Sequence, residues 1–228
     1  MAVELESLDL AALLCSRVCH DLISPVGAVV NGMEVLEETN DESTRVFALD
    51  LIKKSAAQAS ARLQFCRMAF GAAGSAGAEI DTGDAESVAR GFIEDERIIL
   101  NWQLPRAFMP KNRVKLLLNL VMLAGQIIPR GGTITVEPAG EGDTAGLQLV
   151  IRGTNPRIPH AMAPLTANEI DGPVDAHAIQ PYYAGMLARA CGLKIAIEQD
   201  AEKVVLAATL GQPAAAAAPP AAPETPAS

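Results

Sequence analysis

An α+β chain is what this sequence predicts: a helical hairpin over residues 1–77, an α/β sandwich over 78–211, and an Ala/Pro-rich tail over 212–228. Three observations carry that reading. Apolar residues in the first seventy positions recur at steps of three and four, the period of a helix face. From Glu79 onward, helix-length and strand-length runs alternate, the pattern of a mixed sheet with helices on one face. Beyond Gly211 the composition is too simple to bury a core, so the tail is expected to be disordered.

Taken in order, the first helix is capped by Asp9 or Ser7 and carries Cys15, Val18, Leu22, Val26, Val29, Met33 and Leu36 as an apolar stripe. Acidic and turn-prone residues from Glu37 to Asp41 end it. The second helix carries Leu49, Ile52, Ala56, Ala59, Leu63, Cys66 and Phe70, alternating steps of three and four that resemble a coiled-coil heptad. Gly71 to Gly77 follows as a linker. Two helices alone cannot bury such stripes; a second copy completes a four-helix bundle, which predicts a homodimer. The competing expectation is that the second domain covers the stripe.

The rest reads as a helix over Asp84–Glu94, a strand over Arg97–Gln103, and an apolar helix over Asn112–Ile128 stopped by Pro129 and Gly131-Gly132. Strands follow over Thr133–Glu137 and Leu147–Arg152, separated by a Gly-rich turn from Gly140 to Gly146. A helix over Ala178–Cys191 stops at Gly192, and a hairpin over Ile195–Gln199 and Val204–Leu210 closes the sheet.

Composition narrows the function. Aromatics are only 4%, which favours helices packed through Leu, Val and Ala. The net charge of −9 argues against nucleic-acid binding, which needs a basic face. The acidic start lacks the order of a signal peptide, and no apolar run approaches the roughly 20 residues of a membrane span. The longest candidate, Val114 to Ile128, is broken by Lys115, Asn119 and Gln126. A soluble, cytoplasmic protein without a membrane partner is expected. Cys15, Cys19, Cys66 and Cys191 lack zinc-site spacing and are expected as free thiols, with no metal bound.

The chemistry centres on His20. It lies two residues from both Val18 and Leu22, which places it about 200° around the helix from each, away from the apolar stripe. Its own face carries Ser24, Gly27 and Asn31, small residues that admit a close-approaching partner. A structural histidine, a metal ligand and a nucleophile compete as readings of His20, and geometry alone leaves a structural and a functional role both open. As a nucleophile, a neutral imidazole attacks through one ring nitrogen while the other holds the proton. Asp21 is placed to accept a hydrogen bond from that N–H; a solvated surface acid is the plainer alternative. Pro25 has no amide hydrogen, so the Asp21 carbonyl loses its helical partner and a kink is expected. Counting equally either way from a turn near Asn40 sets Ser60 opposite His20. Gln58 and Arg62 thus fall level with it, and Arg62 is a candidate to screen a phosphoryl group, as is Arg17 one turn before His20. His160 and His177 are assigned no chemistry.

The segment His20-Asp21-Leu22-Ile23-Ser24-Pro25 resembles the phospho-acceptor box of two-component histidine kinases. The second half is similar to their Bergerat-type ATP-binding domain: Leu117 to Ala124 followed by Pro129 to Val136 matches the box ending in Asn-Ala and a Gly-Gly strand, and Gly153-Thr154-Asn155-Pro156-Arg157-Ile158-Pro159 matches Asp-Thr-Gly-Pro-Gly-Ile-Pro. The kinase's magnesium-binding asparagine then falls on Leu123, which cannot coordinate a hard cation. Its adenine-reading aspartate falls on Gly153 and its two glycines on Asn155 and Arg157. No Gly-rich lid precedes the Ala178 helix, where Asp171 to Asp175 stands instead.

Three nucleotide elements lost from a retained scaffold resemble the alphaproteobacterial ChpT family of histidine phosphotransferases, over the chain up to about Gly211. That resemblance implies a dimeric four-helix bundle joined to an ATP-binding-like domain that binds no nucleotide. It implies a phosphoryl relay through His20 with Asp21, with Arg17, Ser24, Gly27, Asn31 and Arg62 near the phosphoryl group or the docking face. The implied partners are the receiver domain of a CckA-like hybrid kinase and CtrA-like and CpdR-like response regulators of the cell cycle. This chain needs no cofactor, because the receiver supplies the aspartate and the magnesium. A divergent ATP-dependent kinase and a non-catalytic receiver-binding scaffold are the alternatives.

Overall fold

The computed structural model describes residues 5–71, 78–140, 146–162, 165 and 178–210. The linker to Gly77, most of the Gly140–Gly146 turn, the Asp171–Asp175 segment, His177 and the Ala/Pro tail lie outside the described residues. Helices α1 (Ser7–Glu38) and α2 (Glu42–Ala69) form the hairpin. Then come β1 (Glu79–Asp81), α3 (Thr82–Ile93), β2 (Ile98–Trp102), β3 (Phe108–Pro110), α4 (Lys111–Ile127), β4 (Gly132–Ala139), β5 (Gly146–Gly153), α5 (Ile179–Ala190), β6 (Leu193–Gln199) and β7 (Lys203–Leu210).

The main sheet has the order β2-β4-β5-β7-β6, with β2 parallel to β4 and every other pair antiparallel. Burial alternates along β7, where Val204, Leu206 and Ala208 point to the core and Val205 and Ala207 to the opposite face. Leu100, Ile134, Leu149 and Leu206 share that core with α3, α4 and α5, so the helices cover one face, as predicted. A second sheet was not anticipated: β1 pairs antiparallel with β3. Each has three residues, too few to show alternation, and β3 ends in a proline.

The hairpin is anchored at both ends. Phe65 stacks on Phe92 of α3 with ring centroids 4.0 Å apart, and Phe65 and Ala69 enter the sheet's core. Asn119 of α4 donates through Nδ2 to the Ala69 carbonyl at 3.3 Å, an acceptor that the end of α2 leaves without a helical donor. At the start of α1, the Leu5 amide donates to the Tyr182 hydroxyl at 3.2 Å. Leu10, Leu13 and Leu14 pack beside Tyr182 and Ile179.

Two local expectations are corrected. The first helix is capped by neither Asp9 nor Ser7: both lie inside it, and Glu6 at the cap position makes no side-chain cap bond. The most apolar long helix is α1 rather than α4; among the described residues it alone is long and apolar enough, by length and composition, to cross a membrane. It is built as half of a hairpin, with its apolar residues divided between two flanks.

Those flanks refine the predicted stripes. Inside the hairpin the buried residues are mostly short: Asp21, Pro25 and Gly32 on α1, and Ala48, Ser55 and Cys66 among those of α2. A Cβ on Gly32 would stand 2.6 Å from Ile52 Cγ1, so only glycine permits this approach. Half of each stripe turns inward, with Val18, Leu22, Val29, Ile52 and Ala59 half-buried. The other half stays out: Val26 is 50% exposed, Met33 47%, Leu49 56% and Leu63 55%, so the described residues of the second half do not cover them.

Candidate functional site

His20 sits on α1 with its side chain 78% exposed, as the 200° offset predicts. Its Nδ1 lies 3.3 Å from Oδ1 of Asp21. With the proton on Nδ1, that nitrogen donates to the carboxylate and the other ring nitrogen, Nε2, keeps its lone pair for attack.

Asp21 is no solvated surface acid. Only 10% of its side chain is exposed, because it lies on the strip of α1 that packs against α2. Arg17, one turn earlier, donates through Nε to Oδ2 at 3.1 Å. The carboxylate therefore splits its two oxygens between a fixed cation and the imidazole. Below it lies the buried thiol of Cys66, pushed up to about 11, first by desolvation and then by the negative charge of Asp21. It stays a neutral thiol beneath the site.

Arg62 is level with His20, as counting from the turn predicts, and it has a partner that the sequence did not predict. Nη1 of Arg62 donates to the backbone carbonyl of Asp21 at 2.6 Å. This is the carbonyl that Pro25 deprives of its helical donor. Helix α1 continues through Pro25 as one helix. Gln58 is exposed.

Around the ring, Ser24 and Asn31 are exposed, and a Cβ on Gly27 would meet nothing within 4 Å. The face of α1 that carries His20 is thus open. Sequence reasoning missed Ile23, three residues after His20 and 70% exposed; a large apolar side chain beside the histidine was the available signal. Cys15 and Cys19 are exposed free thiols. Among the described residues no cluster of three His, Cys, Asp or Glu is arranged to hold a metal.

The positions that a kinase would use for nucleotide lie elsewhere. Leu123, where magnesium's asparagine would fall, is fully buried in the sheet's core. A Cβ on Gly153, at the adenine-reading position, would stand 2.6 Å from Ile128 Cγ2 and 2.7 Å from the Gly131 carbonyl. An aspartate there needs the backbone to move. Asn155 holds a left-handed φ of 56°, which asparagine tolerates better than most residues.

The chain is similar to known proteins. The family model for the histidine phosphotransferase C-terminal domain matches residues 82–203. Protein phosphotransferase ChpT of Brucella abortus (strain 2308) is 47% identical over 209 residues, spanning 91% of this chain and 99% of that protein. A solved bacterial phosphotransferase superposes with a TM-score of 0.83 at 45% identity, covering 91% of this chain and 99% of its own.

Proposed function

The chain belongs to the histidine phosphotransferase family of the ChpT type, and from that premise we propose that His20 carries the phosphoryl group of a phosphorelay without help from ATP. The observation that carries this reading is the exposed imidazole whose Nδ1 faces the buried carboxylate of Asp21 at 3.3 Å. Nε2 attacks the phosphorus of a receiver's aspartyl phosphate; the P–N bond forms as the P–O bond to the aspartate breaks, and that carboxylate leaves. The ring keeps its Nδ1 proton and becomes a phospho-imidazolium, whose positive charge the Asp21 carboxylate stabilises. The reverse step delivers the group to a second receiver. Positioning and charge neutralisation are the main demands of such a transfer.

Docking uses the open face of Ser24, Gly27 and Asn31, with Ile23 as its apolar contact. Magnesium comes with the receiver, and this chain binds no cofactor. The donor is the receiver of a CckA-like hybrid kinase, and CtrA-like and CpdR-like regulators are acceptors in the cytoplasm. The working form is a homodimer, because Val26, Met33, Leu49 and Leu63 leave an apolar seam bare along one hairpin. The buried Leu123 and the blocked Gly153 support a scaffold that no longer takes nucleotide.

A transfer assay tests this reading. Wild type should take label from a phosphorylated receiver domain, His20→Ala should take none, and neither should take label from ATP with magnesium. Label taken directly from ATP would make the chain a kinase. Equal function of His20→Ala would leave only a scaffold.

A further inference from the structure

We propose that Arg62 is a positioning residue for His20, acting through the backbone carbonyl that Pro25 leaves without a donor; this rests on His20 being the phosphoryl carrier. In an uninterrupted helix the amide of residue 25 would donate to the carbonyl of residue 21. Proline has no such amide. A polar carbonyl deprived of its partner on a packed face must find another donor. Here the donor comes from the other helix: Arg62 of α2 reaches across to Asp21 O at 2.6 Å.

The consequence falls on the imidazole. Asp21 is held at three points: Arg17 on Oδ2, Arg62 on its own carbonyl, and His20 Nδ1 on Oδ1. Arg17 turns the carboxylate so that Oδ1 is directed at the ring, and Arg62 fixes the backbone from which that side chain hangs. A guanidinium is suited to this, since it is always charged and its donors are rigidly spaced. Pro25 and Arg62 thus form one device. The proline opens a socket in the first helix, and the arginine fills it from the second, setting the height of α2 against the phospho-acceptor. The buried Cys66 offers no competing charge there.

The test uses the full chain with phosphoramidate, a small P–N donor that needs no receiver, and follows phosphohistidine formation by phosphorus NMR. Nitrogen shifts of the His20 imidazole read its tautomer independently. Arg62→Ala should slow phosphorylation by about tenfold through misplacement of the ring and give a mixed tautomer. Arg62→Lys, which keeps a donor, should recover most of the rate. Pro25→Ala returns an amide to the Asp21 carbonyl, so in that background Arg62→Ala should cost less than about twofold.

An unchanged rate and tautomer in Arg62→Ala would overturn the proposal, as would the same fold loss in both backgrounds. If Arg62→Ala does not fold, the Pro25→Ala/Arg62→Ala pair decides: a native tautomer there supports the proposal, and a mixed one overturns it. The tautomer measurement needs no phosphoryl donor. It decides the role of Arg62 even if His20 takes no phosphoryl group, which would be the failure of the reading on which the proposal rests.

Discussion

Helix α1 and helix α4 are both rich in apolar residues, yet they use them in opposite ways. Twelve of the 17 residues of α4 are buried, against three of the 32 in α1, and those three are Asp21, Pro25 and Gly32. A helix packed on nearly every side has no position left for a ligand or a partner. A helix packed through a narrow strip of small residues keeps most of its surface for others. The second half of the chain builds its core around Leu123, while the chemistry proposed for His20 sits on the open side of α1, beside the narrow strip that buries Asp21.

The largest effect expected from this contrast is on stability. Leu123→Ala should cost about 2–5 kcal/mol in urea unfolding, because the side chain is fully buried in the sheet's core. Ile23→Ala should stay within about 0.5 kcal/mol, because Ile23 is 70% exposed, yet it should slow transfer from a receiver. A cost at Leu123 below about 1 kcal/mol would mean that this part of α4 is not core, and the contrast would fail.

Next in size is the effect on assembly. Val26→Glu with Met33→Glu places two charges on the bare flank of α1, where a second copy would have to desolvate them. The double variant should lose roughly 3 kcal/mol or more of association free energy and run as a monomer in light scattering, while wild type runs as a dimer. Monomeric wild type at micromolar concentration would sink the homodimer and leave the apolar flank to another partner.

How much of this was legible in the sequence depended on the length of the signal. Long periodic runs gave α1, α2, α4, β4, β5 and the β6–β7 hairpin to within one or two residues, because a long run repeats its apolar spacing often enough to be read. The β1–β3 pair was illegible: a three-residue strand has no period, and its pairing joins residues about thirty apart. Of the site, the outward aim of His20 and the level of Arg62 followed from helix geometry and from the turn. The missing donor at Asp21 followed from Pro25. What fills that socket did not, since it needs the actual approach of two helices, which small residues such as Gly32 set and apolar periodicity does not record.

The smallest effect concerns the turn that fixes this approach. Asp41 caps α2, accepting from Ser43 Oγ at 2.6 Å, Thr44 Oγ1 at 2.7 Å and the Thr44 amide at 2.8 Å. Arg45 closes the facing end of α1 by donating to the Leu36 carbonyl at 2.9 Å. The bonds from Ser43 and Thr44 lower the Asp41 carboxyl from 3.8 to about 2. A carboxyl lowered on folding adds stability above its unfolded value and loses it as the pH falls toward the folded one. Asp41→Ala should therefore melt slightly below wild type at neutral pH, and the gap should close between about pH 4 and pH 2. A gap that persists at pH 2 would show that the variant harms the turn by some route other than the lost carboxylate. Transfer at His20 should change little in either case. The register of α2 against α1 is held further along by Gly32 against Ile52 and by Arg62 on Asp21, so the cap sets where the helix begins and those contacts set where it stands.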